Sequence, residues 1–105
     1  QDIGPYLRKK WHSLSDHPLV GETRIAGLMG ALELVADKTS LERFDKKIGV
    51  GTICRDVCVN NGLVMRAVGD IMIIAPPLII TREQIDELTE KAWKCLDLTQ
   101  KAIDT

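Results

Sequence analysis

Apolar residues at helical spacing open the chain. Ile3, Tyr6, Leu7, Trp11 and Leu14 recur every three to four positions, which predicts an amphipathic helix over residues 2–14. His17-Pro18 ends it, because proline disfavours helical backbone at the residue before it. Residues 20–35 then read as extended: a short strand over 21–25, a turn at Ala26-Gly27, and a longer strand over 28–35. Along the longer strand Leu28, Gly30, Leu32 and Leu34 share one face. Met29, Ala31, Glu33 and Val35 share the other, so Glu33 is expected to look toward solvent or a partner.

Residues 37–47 are charged and read as a surface connection. Over 48–60 the pattern turns helical again, with Val50, Ile53, Cys54, Val57 and Cys58 forming one buried stripe. Asn60-Asn61-Gly62 supplies the stop, Gly62 taking the left-handed cap conformation. Two β runs, 63–68 and 71–75, flank Gly69-Asp70, a two-residue hairpin signal. Pro76-Pro77 ends the second run by removing two backbone donors. Thr81-Arg82-Glu83-Gln84 is a capping box, and Ile80 with Ile85 is placed to staple it. The helix that follows carries Ile85, Leu88, Ala92, Leu96 and Ile103 on one side, with Glu87–Lys91 and Glu90–Lys94 as i,i+4 pairs. The order α-β-β-α-β-β-α has no βαβ alternation. It predicts an α+β domain with a small antiparallel sheet of three to four strands and helices packed on it.

Composition narrows the function classes. The 105 residues suit one domain, 45% hydrophobic and 28% charged, with 14 basic against 15 acidic residues. No basic stripe points to nucleic acid or an anionic membrane surface. No apolar run approaches the ~18–20 residues of a membrane span, and the polar N-terminus shows no signal-peptide core. Three cysteines, an odd number without scaffold spacing, point to free thiols and the cytoplasm. The chain opens without methionine and already in a helical pattern, so it is expected to be a piece of a larger protein.

Arg66 is the residue with the most chemistry to explain. Between Gly62 and Pro77 nearly everything else is apolar or a turn residue. Its guanidinium cannot lose its charge, so it needs an anion or a route to water. Two readings stand open: a carboxylate-binding residue, or a side chain that snorkels or pairs with a structural Asp or Glu. Cys54 and Cys58 share a helix face, but a zinc site wants four ligands and no others are spaced to help, so they read as small core residues. His12 and His17 have no partner visible in sequence and receive no role. Met29, Met65 and Met72 read as packing residues. Gly49 and Gly51 precede a helix without the spacing of a phosphate loop. Arg24, with Glu22 and Asp16 near it in sequence, reads as half of a structural ion pair. No nucleophile–base pair stands out, so the chain carries no catalytic residue and no metal site by this reading.

Four segments in order, residues 17–24, 27–34, 62–70 and 75–81, resemble the C-terminal part of class III, pyridoxal-phosphate-dependent aminotransferases. Within the class, residues 65–70 and 94–99 are similar to the bacterial ω-aminotransferases of the putrescine/polyamine–pyruvate branch. The turn Arg24-Ile25-Ala26-Gly27 departs from the Arg-Gly-x-Gly usual there. The resemblance implies that residues 1–105 are the small C-terminal domain of a fold-type-I enzyme. The large domain, with the lysine that holds pyridoxal phosphate, is then absent, and the fragment alone binds no cofactor and is inactive. It implies an amine donor, a keto acid acceptor, a homodimeric intact enzyme, and an apolar surface facing the large domain. Arg66 matches the position that binds the keto acid's carboxylate and swings aside for a diamine. The competing readings are a non-catalytic α+β regulatory or small-acid-binding module, and an interaction domain in which Arg66 pairs within its own chain.

Overall fold

Two hairpins build the sheet, and they meet through their second strands. In the computed structural model, which describes residues 4–26, 29–40, 42–45, 47–63, 65–74 and 81–104, α1 (Gly4–His12) tightens into a 3-10 turn (Ser13–Asp16). There follow β1 (Val20–Ala26), β2 (Met29–Leu34), α2 (Val50–Asn60), β3 (Arg66–Val68), β4 (Ile71–Ile74) and α3 (Arg82–Asp104). The strands lie in the order β1-β2-β4-β3, all antiparallel, so the α+β architecture is as expected.

The pleat assigns each residue a face. Thr23 and Ile25 stand opposite Leu32 and Gly30, which stand opposite Met72 and Ile74. This face meets the helices. Trp11 and Leu14 from the first helical segment, Val50, Cys54 and Cys58 from α2, and Cys95 and Leu96 from α3 close one core over it. Trp11 lies directly on β2: its Nε1 donates to Ala31 O at 3.2 Å, and a Cβ at Gly30 would stand 2.5 Å from its ring. No described helix covers the opposite face, where Met29 and Val68 are each 54% exposed. None is long and apolar enough to cross a membrane.

Local signals hold in most places. The capping box closes: Thr81 N donates to Gln84 Oε1 at 2.9 Å and Gln84 N to Thr81 Oγ1 at 3.1 Å. Gly62 takes φ 79° and Gly69 φ 60°, at the helix stop and the hairpin turn. Glu87 meets Lys91 at 3.4 Å, while no Glu90–Lys94 ion pair forms. Three elements differ from expectation. α2 begins at Val50 and leaves Ile48 exposed, because Gly49 turns left-handed before it. The run 63–68 pairs only from Arg66, since Leu63 and Met65 are drawn into the core. Ala26, placed in a turn, is the last paired residue of β1. Ile3, Gly27, Leu28, Ala75, Pro76, Pro77 and Ile80, on which other expectations fell, lie outside the described residues.

Candidate functional site

The helix-free face carries the candidate site, and the sheet register lays it out. Arg66 on β3 stands opposite Ile73 on β4, Ile73 opposite Ala31 on β2, and Ala31 opposite Arg24 on β1. The neighbouring row is Val68, Ile71, Glu33 and Glu22. Arg66 is exposed on an edge strand, and among the described residues no ion pair forms with it.

Glu33 behaves differently. Its side chain is only 16% exposed, and it forms ion pairs with Arg43 at 2.9 Å and with Arg24 at 3.6 Å. Arg24 is thus in an ion pair, as the sequence suggested, but its partner is not one of the two acidic residues near it in the chain. Glu33 stands directly opposite Glu22, a like-charge pair that would repel without the two arginines. Arg43 comes from the 37–47 connection and borders, with Val68, Gly69 and Asp70, a cavity of ≈ 440 Å³ beside the β3–β4 turn.

That turn is clamped from two sides. Asp70 O accepts Leu34 N at 2.9 Å, and Asp70 Oδ1 accepts Gly51 N at 3.3 Å at the start of α2. A carboxylate there also complements the positive end of the helix. Gly51 lets the helix approach: a Cβ on it would lie 1.9 Å from Gly69 O. The turn that follows Arg66 by three residues is therefore fixed by backbone contact.

The remaining polar groups serve the fold. His17, given no role from sequence, is fully buried. Its Nδ1 accepts Leu19 N at 3.1 Å, so the proton sits on Nε2, which meets Asp97 Oδ1 at 2.8 Å. Its ring also meets Trp93 edge-on at 4.8 Å. A sequence separation of 80 left no local signal for this contact. His12 Nδ1 lies 2.6 Å from Thr23 Oγ1. Cys54, Cys58 and Cys95 are free and buried, and Cys58 Sγ lies 3.7 Å from Met65 Sδ. The hydrogen bond from Cys58 lowers the Cys54 thiol pKa and raises that of Cys58, while burial raises Cys95. Among the described residues no three His, Cys, Asp or Glu are grouped to hold a metal ion.

A pyridoxal phosphate site needs a sheltered lysine, and the described residues do not fit one. Neither the cavity beside the hairpin nor a second of ≈ 610 Å³, lined by Arg8, His12, Thr23, Arg24 and Met29 among others, is bordered by a lysine. Lys10 pairs with Asp86, Lys38 donates to Ser15 O, and Lys91 pairs with Glu87.

Known proteins place this geometry in context. The family model for aminotransferase class III matches residues 1–96. A putrescine–pyruvate aminotransferase from Pseudomonas aeruginosa is 58% identical over 97% of this chain, which covers 22% of that protein. Gamma aminobutyrate transaminase 1, mitochondrial, from Solanum lycopersicum is 33% identical over 97% of the chain and 20% of its own length. A PMP-bound aminotransferase from Vibrio fluvialis superposes with a TM-score of 0.87 at 33% identity, over 94% of this chain and 22% of that one. The chain thus spans about a fifth of the length of the relatives it matches.

Proposed function

Because the chain belongs to the class III aminotransferase family, we propose that it is the C-terminal small domain of a pyridoxal-phosphate-dependent enzyme in which Arg66 binds the carboxylate of the amino acceptor. On this reading the acceptor is pyruvate and the donor an ω-amine or polyamine such as putrescine. The 58% identity to a putrescine–pyruvate aminotransferase supports that choice over the 4-aminobutyrate of the tomato relative. Cofactor chemistry belongs to residues outside those described, and this domain contributes recognition.

The observation that carries the assignment is an exposed guanidinium on the helix-free face without an ion pair among the described residues. A planar fork offers two parallel N–H donors to a carboxylate. Ile73 beside it and Val68 two positions on give apolar flanks that suit the short hydrocarbon part of a keto acid. Arg66 also begins a three-residue edge strand, with no strand beyond it among the described residues. Its side chain is therefore free to swing out when a diamine brings a cation to the same place.

The test is Arg66→Ala in the full-length enzyme. Losing charge-assisted hydrogen bonds worth about 1.5–3 kcal/mol raises the keto acid KM about ten- to hundredfold. The half-reaction with the diamine is spared. An unchanged KM for pyruvate rejects the assignment. A purified full-length protein without the yellow cofactor absorbance, or one whose band ignores added diamine, rejects the enzyme reading and favours a regulatory module.

A further inference from the structure

Two carboxylates share the helix-free face with Arg66, and the half-buried one is within its range. Glu33 lies two strands and two residues away, which places the Cα atoms about 12 Å apart by strand geometry. An extended arginine and a glutamate close that gap. A cation that captures a carboxylate of its own sheet is lost to a substrate for that fraction of the time, and the apparent affinity falls by the same fraction. Glu33 is nevertheless already held, by Arg43 at 2.9 Å and Arg24 at 3.6 Å.

We propose that Arg24 and Arg43 are positioning residues for substrate recognition: by occupying Glu33 they deny it to Arg66 and keep that guanidinium free for an incoming carboxylate. The proposal rests on Arg66 being the acceptor-binding residue. Placement favours it. Arg24 ends the row that Arg66 begins, and Arg43 reaches Glu33 from the connection that borders the Arg66 hairpin. The pair thus approaches Glu33 from the β1 side and from beside the hairpin turn. Glu22, the other acid on the face, sits on the far edge strand, beyond Glu33 from Arg66.

The experiment uses the full-length holoenzyme with pyruvate as acceptor and putrescine as donor. In R24Q/R43Q, Glu33 is released. Competition at the strength of an exposed ion pair raises the keto acid KM about two- to sixfold, while the amine half-reaction rate stays at the parent value. Adding Glu33→Gln to that variant returns KM to the parent value, whereas Glu33→Gln alone leaves it near the parent, because Glu33 is already occupied. R24K/R43K keeps both charges and keeps KM. An ion pair that serves only the fold would shift thermal stability without this split and without rescue. An unchanged KM in R24Q/R43Q, or a triple variant that stays elevated, overturns the proposal. So does an equal drop when Glu33→Gln is made in both backgrounds, the mark of a general field effect. If Arg66→Ala itself leaves KM unchanged, the premise falls and the proposal with it. If Arg66→Ala raises KM while R24Q/R43Q is silent, only the proposal falls.

Discussion

Replacing Gly51 by alanine asks how tightly the Arg66 hairpin is held. The added methyl would stand 1.9 Å from Gly69 O, 2.9 Å from Gly69 C and 3.2 Å from Asp70 Cα, all backbone atoms that no rotamer change can move aside. Ordinary contact begins near 3.4 Å, so helix and hairpin must part by about 1.5 Å. The Gly51 N–Asp70 Oδ1 bond, already 3.3 Å, does not survive that movement. Overpacking of this kind costs about 1–3 kcal/mol. Alanine's better helix propensity returns at most about 1 kcal/mol, so a contact this short, in the middle to upper part of that range, leaves a net loss of about 1–2 kcal/mol. The loss is local and is read by amide exchange at Leu34, whose N–H is bonded to Asp70 O at 2.9 Å. That amide should exchange about five- to thirtyfold faster, and under the role proposed for Arg66 the keto acid KM of the full-length enzyme should rise, because Arg66 shifts with its hairpin. Unchanged Leu34 protection together with unchanged KM would refute the clamp.

Two further outcomes follow from the polar contacts. Asp97→Ala removes the acceptor for the Nε2 proton of a fully buried His17 and should cost about 1–3 kcal/mol in equilibrium unfolding; Asp97→Asn keeps an oxygen in place and should recover most of it. Asp86 accepts Tyr6 Oη at 2.5 Å and lies 3.4 Å from Lys10 Nζ, tying α1 to α3. The tyrosine hydrogen bond, and then Lys10, hold its carboxyl pKa below the ordinary carboxylate value. A depressed pKa gives stability that is present above the unfolded value, ~4, and lost as pH falls through the folded one. Exchange at the α1 amides should therefore rise in acid below about pH 4, and Asp86→Asn should flatten that rise.

Short-range chemistry was legible in the sequence and long-range chemistry was not. Thr81 and Gln84 are three residues apart, so their reciprocal bonds follow from local geometry alone. The alternation in β2 gave the faces of Leu32 and Glu33 correctly, because a pleat needs no tertiary information. The order β1-β2-β4-β3 was not readable, since it rests on β2 pairing with β4, a contact between two hairpins that no local pattern encodes. The burial of His17 was hidden for the same reason: Asp97 and Trp93 reach it only once α3 is docked. At the site, Arg66 stood out because a fixed charge in an apolar run demands a partner. Arg43 did not, because a charged residue in a charged connection looks like any other. Only the fold brings it to Glu33.

The one-sided helical cover has a consequence for how such a domain changes over time. Along each strand, alternate residues answer to different demands: Leu32, Met72 and Ile74 to packing, and Ala31, Glu33, Ile71 and Ile73 to whatever meets the bare face. A substitution on the bare face leaves Leu32, Met72 and Ile74 in their packing, so under the role proposed for Arg66 recognition is open to change without rebuilding the core. The same alternation sets the limit. A one-residue slip of β3 against β4 would turn Arg66 inward and Ala67 outward, exchanging the two demands at a stroke. The Asp70 clamp on α2 stands against that slip, so the contact that anchors the turn also keeps the bare surface and the packed core from trading places.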